Sequence, residues 1–92
     1  MKRMLNPAKS LGLPPFLTGA SGRCSGMMIW ENTAAALNSE NKVLVHPSST
    51  DSAETSADKE DHVSMGGFSA RKAVTVCENV LKIIAIELFV AT

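Results

Sequence analysis

Apolar and polar positions fall in blocks along this chain, and the blocks predict its elements. Residues 1–25 are interrupted by Asn6-Pro7, Gly12, Pro14-Pro15, Gly19 and Gly22, each of which breaks helical or strand continuity. This stretch is expected to be an irregular lead-in, anchored on something apolar through Leu11, Leu13, Phe16 and Leu17. Residues 26–45 then predict a helix. Ser25 is placed to cap its first turn, Ala34-Ala35-Ala36-Leu37 favours helix and lets a second helix approach closely, and Pro47 stops it by forcing its predecessor out of the helical region. Residues 46–59, which include Pro47-Ser48-Ser49-Thr50-Asp51-Ser52, have the composition of a polar loop.

A second helix is expected over 60–92, starting at Glu60 or Asp61, whose negative charge suits a helix N-terminus. Gly66-Gly67 weakens it by about 1 kcal/mol per glycine relative to alanine. Ala73, Cys77, Val80, Ile84 and Leu88 recur at spacings of three and four and make one apolar stripe, with Glu78 and Lys82 as an exposed pair four apart.

The fold class that follows is all-α, two long helices joined by a polar loop. After Lys82, however, Ile83, Ile84, Ala85, Ile86, Leu88, Phe89 and Val90 surround the second helix, and a helix apolar all round needs burial on every side. Two helices and a loop do not supply that. A chain of this length buries only roughly 60 to 65 per cent of its unfolded surface. With no glycine cap or basic last turn before Thr92, the pattern reads as cut rather than finished, and the chain is expected to be a piece of a larger helical protein.

Charge narrows the partners. Nine basic residues balance nine acidic ones. The basic ones are too scattered to form a stripe for nucleic acid or an anionic membrane, so neither is expected as a partner. Met1–Leu5 is followed by Asn6, Pro7, Lys9 and Ser10 where a secretion signal needs an apolar core. The apolar C-terminal run carries Lys82 and Glu87 and falls short of the roughly 20 residues of a membrane span. Cys24 and Cys77 cannot make a disulfide framework and fit reduced thiols in a cytoplasmic protein.

Asp58-Lys59-Glu60-Asp61-His62, with His46 upstream, is the densest titratable cluster. Its spacing matches no zinc or calcium pattern and Lys59 opposes a cation, so a solvated acidic helix start is the reading and no metal is expected. Gly19-Ala20-Ser21-Gly22 with Ser25-Gly26 lacks the Gly-Lys-Ser/Thr ending of a phosphate-binding loop and reads as a flexible loop.

The order of short words adds what composition cannot. Gly12-Leu13-Pro14-Pro15-Phe16-Leu17, Ser25-Gly26-Met27-Met28-Ile29, Thr33-Ala34-Ala35-Ala36-Leu37, Ser39-Glu40-Asn41-Lys42, His46-Pro47-Ser48-Ser49 and Glu60-Asp61-His62-Val63-Ser64-Met65-Gly66 follow one another, continued by Ala70-Arg71-Lys72 and Ala85-Ile86-Glu87-Leu88. The series resembles the later central part of the aromatic amino acid lyases and covers nearly the whole chain. Glu60 followed by Asp61-His62 resembles the branch acting on histidine, since lyases acting on phenylalanine usually have glutamine there in a differently spelled motif.

The resemblance implies long helices in a central bundle, a homotetramer with shared active sites, and elimination of ammonia from L-histidine to give trans-urocanate, the first step of histidine degradation. It implies no external cofactor, the electrophile being a methylidene imidazolone that the family makes from its own Ala-Ser-Gly. That tripeptide lies in a longer word, continuing Asp-Leu-Ala-Pro-Leu, far upstream of the part matched here. Ala20-Ser21-Gly22 is followed by Arg23-Cys24-Ser25 instead, so the forming tripeptide is expected to be absent. The family's substrate-facing tyrosine and arginine also come from upstream, and this chain has no tyrosine. Glu60 is then the single candidate catalytic residue, contacting the substrate's amino group or imidazole and taking part in proton transfer. Lys59 and Trp30-Glu31 depart from the family pattern. Alone, the chain is expected to be inactive; a non-catalytic helical interaction protein is the alternative.

Overall fold

A computed structural model describes residues 1–20, 22–50, 52–60 and 62–92. Three α-helices follow one another, α1 (Lys2–Leu5), α2 (Met28–Leu44) and α3 (Gly66–Ala91), with 3-10 turns at Pro15–Leu17 and Ser48–Thr50. Among the described residues no strand forms; Thr55 and Glu60 make one isolated antiparallel bridge. The all-α class and the two long helices are as the sequence predicts.

Helices α2 and α3 run antiparallel: Ala34 near the start of α2 shares a cluster with Ile86 and Val90 near the end of α3, and Lys72 of α3 reaches His46 just past the end of α2. The positions of α3 that lose solvent are Lys72, Thr75, Val76, Asn79, Ile83, Ile86 and Val90; Thr75 aside, they are spaced alternately four and three apart. On α2 they are Met28, Glu31, Ala34, Leu37, Asn41 and Leu44, the last four spaced the same way. This is the seven-residue repeat of two helices wrapped along a common seam. The small Ala34, 5 % exposed, lets α3 approach.

The expected stripe of Ala73, Cys77, Val80, Ile84 and Leu88 is therefore not the face packed on α2. Val80, Ile84 and Leu88 are 42 %, 48 % and 64 % exposed. The seam runs instead through a row that contains Asn79 and Lys72, because α2 and the loop after it offer those two polar side chains partners. Helix α3 thus has a packed face and an uncovered apolar one. The molecule is a rod of 67 × 21 × 19 Å with a radius of gyration of 20.3 Å. A compact domain of this length has a radius of about 12 Å.

The lead-in wraps back onto the α2/α3 end. Leu5, 2 % exposed, is the most buried side chain, and Met1, Met4, Phe16 and Leu17 pack beside it. Of the four expected anchors, Phe16 and Leu17 join this cluster, whereas Leu11 is fully exposed and Leu13 is 43 % exposed. Leu11 has a φ of 53° and sits in a turn that points it to solvent.

Helix α2 starts two residues later than the expected 26, and Ser25 caps it with its backbone carbonyl rather than its hydroxyl, accepting from the Met28 N–H at 3.1 Å. The Met27 N–H donates to the Phe16 carbonyl at 2.9 Å, so the lead-in itself satisfies the start of the helix. This close approach explains Gly26. Its φ is 52°, and a β-carbon there would lie 2.3 Å from the Phe16 oxygen. Gly26→Ala is expected to destabilise the chain by about 2 kcal/mol or more, since left-handed strain and a backbone clash act together. Thermal unfolding followed by circular dichroism measures it; an unchanged midpoint would show that the contact yields freely.

Helix α3 starts at Gly66 rather than Glu60. Gly66 and Gly67 fall in its first turn, where a weak helix former costs least, and the Gly66 N–H donates to the Ser64 hydroxyl at 3.3 Å. Asp61, the other expected start, lies outside the described residues.

Candidate functional site

Glu60 sits in the connection between α2 and α3, and the connection is tied at several points. At its first foot the Lys72 ammonium, nearly two turns into α3, donates to the His46 carbonyl and to the Ser48 hydroxyl, the latter at 3.4 Å. Ser48 is 6 % exposed and pressed against the helix pair, while His46, Pro47 and Ser49 around it are exposed. The Thr50 hydroxyl donates to the Pro47 carbonyl at 2.8 Å and lies 3.4 Å from His46 Nε2, closing the turn. At the second foot the Val63 N–H donates to the Ser52 hydroxyl at 3.1 Å.

Between these ties residues 55–60 form a tight turn. The Thr55 N–H donates to the Glu60 carbonyl at 3.2 Å and the Glu60 N–H to the Thr55 carbonyl at 3.3 Å. Ser56, Ala57 and Asp58 take φ values of 58°, 55° and 64°, three successive left-handed residues without a glycine. Such residues cost on the order of 1 kcal/mol each and persist only when their surroundings hold them. The Glu60 carboxylate emerges from the base of this turn, exposed, with the Thr55 hydroxyl 3.5 Å from Oε2. A carboxylate so placed can accept protons or hydrogen bonds from a ligand without displacing a strong internal partner.

After Glu60 the word His62-Val63-Ser64-Met65-Gly66 lines a cleft of about 350 Å³ at the N-terminus of α3, together with Ser49, Ser52 and Ser69. Glu60 borders this segment in sequence but does not line that cleft. The cluster Asp58–His62 does not gather into a metal site: among the described residues no three His, Cys, Asp or Glu side chains are placed to hold an ion. Cys24 and Cys77 are free, exposed thiols. Among the described residues no helix is long and apolar enough to cross a membrane.

Ala20 and Gly22 flank Ser21, which is outside the described residues. The Ala20 carbonyl accepts from the Arg23 and Cys24 N–H groups, both at 3.0 Å, and Ala20 and Gly22 are exposed. The cleft there holds Phe16, Gly22, Arg23, Cys24, Ser25 and Met28, without Glu60.

Sequence pattern alone misses Lys72 and Asn79. Lys72→Met leaves the buried Ser48 and the His46 carbonyl without their ammonium donor. It is expected to cost on the order of 1 kcal/mol and to speed amide hydrogen exchange at Thr50, with Lys72→Arg restoring most of the protection. Exchange unchanged in Lys72→Met would remove the tie from the account.

Fold and site together define a helical hairpin of an all-α protein, with one face uncovered and a carboxylate held on its connecting loop. The family model for aromatic amino acid lyases matches residues 1–92, and the chain belongs to that family. It is 59 % identical over 90 residues to a histidine ammonia-lyase of Gloeobacter violaceus, covering 98 % of this chain and 18 % of that one. It is 53 % identical over 92 residues to the histidine ammonia-lyase of Natranaerobius thermophilus, all of this chain and 18 % of that one. Against the human histidine ammonia-lyase it is 57 % identical over 91 residues, 99 % of this chain and 14 % of the other. The chain therefore spans less than one fifth of the length of these curated relatives.

Proposed function

We propose that this chain is the segment of a histidine ammonia-lyase that carries the site carboxylate Glu60, serving the elimination of ammonia from L-histidine to trans-urocanate in the cytoplasm. One observation carries the reading: identity of 59 % along 98 % of the chain to a histidine ammonia-lyase, with Glu60 presented from a tied loop rather than left on a free one. Glu60 contacts the amino group or imidazole of the substrate and holds or passes a proton there, which needs a carboxylate with spare acceptor capacity. Among the described residues its one side-chain hydrogen bond, from the Thr55 hydroxyl at 3.5 Å, leaves that capacity available.

The family uses a self-formed electrophile, which supplies the activation that makes the amino group leave. Ala20 and Gly22 are exposed and the cleft at Gly22 lacks Glu60, so the reading takes the electrophile from outside this chain and routes no step through these residues. The substrate-facing tyrosine and arginine come from outside too. The uncovered apolar face of α3, with Val80, Leu81, Ile84 and Leu88 each more than 40 % exposed, supports assembly into a helical bundle, completed in a homotetramer.

The test is transplantation. Residues 1–90 of this chain replace the matching segment of the Gloeobacter violaceus lyase, and the absorbance of urocanate is followed after adding L-histidine. Turnover comparable with the parent is expected. A folded, correctly assembled chimera without turnover would sink the assignment, and turnover by the separate 92-residue chain would overturn the external origin of the electrophile.

A further inference from the structure

One arm of the connection between α2 and α3 holds Ser48, Ser52 and Thr55, and the other holds Glu60 and Val63. Two rungs join the arms: the Thr55–Glu60 bridge, and the Val63 N–H on the Ser52 hydroxyl. All four rung residues lie outside the helices. The rungs therefore fix the arms to each other and not to the helix pair.

Lys72 makes the remaining connection. It stands on α3, nearly two turns past Gly66, where the second arm enters that helix. Its ammonium donates back to the first arm, at the His46 carbonyl and the buried Ser48 hydroxyl. The Phe68 ring, one turn earlier on α3, lies 5.8 Å from the ammonium and helps to hold the charge at the foot of the loop. Helix, first arm, rungs and second arm thus close a ring, and each part of it lines one cleft, through Ser49 and Ser52, residues 63–66, and Ser69.

We infer that Lys72 is a positioning residue for the ammonia-lyase reaction: by tying the first arm to α3 it sets where the ring, and with it the Glu60 carboxylate, stands relative to the helices. Released from Lys72, the first arm keeps its rungs but is free to pivot on the second. A displacement of about 1 Å at a reacting group costs on the order of 10²-fold in rate. The inference rests on the reading of Glu60 as the site carboxylate, and a double-mutant cycle separates the two.

The cycle is run in the lyase carrying the transplanted segment, with Lys72→Met, Glu60→Gln and both together, following urocanate. Lys72→Met is expected to lower kcat/KM by about 10-fold to 10²-fold. The loss should divide between kcat and KM as it does in Glu60→Gln, because a misplaced carboxylate fails at the same step as a neutral one. In the Glu60→Gln background Lys72→Met is expected to change turnover by less than about twofold, since no carboxylate is left to position. Lys72→Arg, which keeps a cationic donor, should recover most of the loss. Ser48→Ala removes one acceptor of the tie without altering α3, and should lose less, again only where Glu60 is present. Equal losses from Lys72→Met in both backgrounds would make the lysine a merely structural residue and overturn the inference. So would a Lys72→Met variant with the turnover of its parent, or one that fails to assemble while Ser48→Ala keeps full turnover. Glu60→Gln with the turnover of its parent would instead overturn the reading of Glu60, and the positioning role with it.

Discussion

Glu60→Gln in the transplanted lyase is expected to lower kcat by a factor of about 10² to 10⁴, the range lost when a positioned general acid or base is removed. Glutamine keeps the length and one oxygen acceptor of the side chain but cannot take up a proton, so binding and proton transfer separate. If Glu60 chiefly moves a proton, kcat falls and KM changes little. If it chiefly holds the substrate ammonium, KM rises with a smaller change in kcat. The bridge to Thr55 uses the Glu60 backbone, so the turn at 55–60 survives the substitution, and circular dichroism of the variant should overlay that of its parent. Turnover within twofold of the parent at saturating and at low L-histidine would show that Glu60 is a bystander.

The residues that made this prediction possible were legible in unequal measure. Residues 26–45 and the C-terminal apolar run predict two helices, and α2 and α3 occupy those stretches because propensity and apolar content agree there. The face of α3 was not legible. A pattern reading selects the most apolar row, whereas the seam uses the row holding Lys72 and Asn79, and only the tertiary partners Glu40, Asn41 and Ser48 make burying them favourable. The start of α3 was misread for a similar reason. Acidic residues at 60 and 61 look like a helix start, but Glu60 is drawn into its bridge with Thr55, and left-handed Ser56, Ala57 and Asp58 carry no glycine to announce that turn. Glu60 itself was identified by the word around it; its ties through Ser52 and Lys72 depend on contacts between residues far apart in sequence.

Trp30 has an aromatic partner and so becomes a reporter for the last expectation. Its ring lies 5.3 Å from that of Phe89 at an interplanar angle of 55°, pinning the start of α2 to the end of α3. Beside it the cluster of Leu5, Ala34, Ile86 and Val90 contains all four of the buried apolar residues among the described ones. So small a core has no reserve: Ile86→Asp places a carboxylate against Ala34 and Leu5, where the neighbouring Met1 ammonium is already paired with Glu87 at 2.6 Å, a change that costs on the order of 4 kcal/mol or more. The expected result is separation of the helices, with Trp30 emission shifted to the red as its ring gains water and helix content lost. Leu88→Asp, on the uncovered face, is the control; Leu88 is 64 % exposed and its replacement should leave both signals of the isolated chain unchanged. In the transplanted lyase the two should converge, because the bundle that covers α3 buries Leu88 as well. Leu88→Asp that unfolds the isolated chain would contradict the two-faced reading of α3, and Leu88→Asp that leaves the assembled lyase fully active would show that the uncovered face is not where the bundle closes.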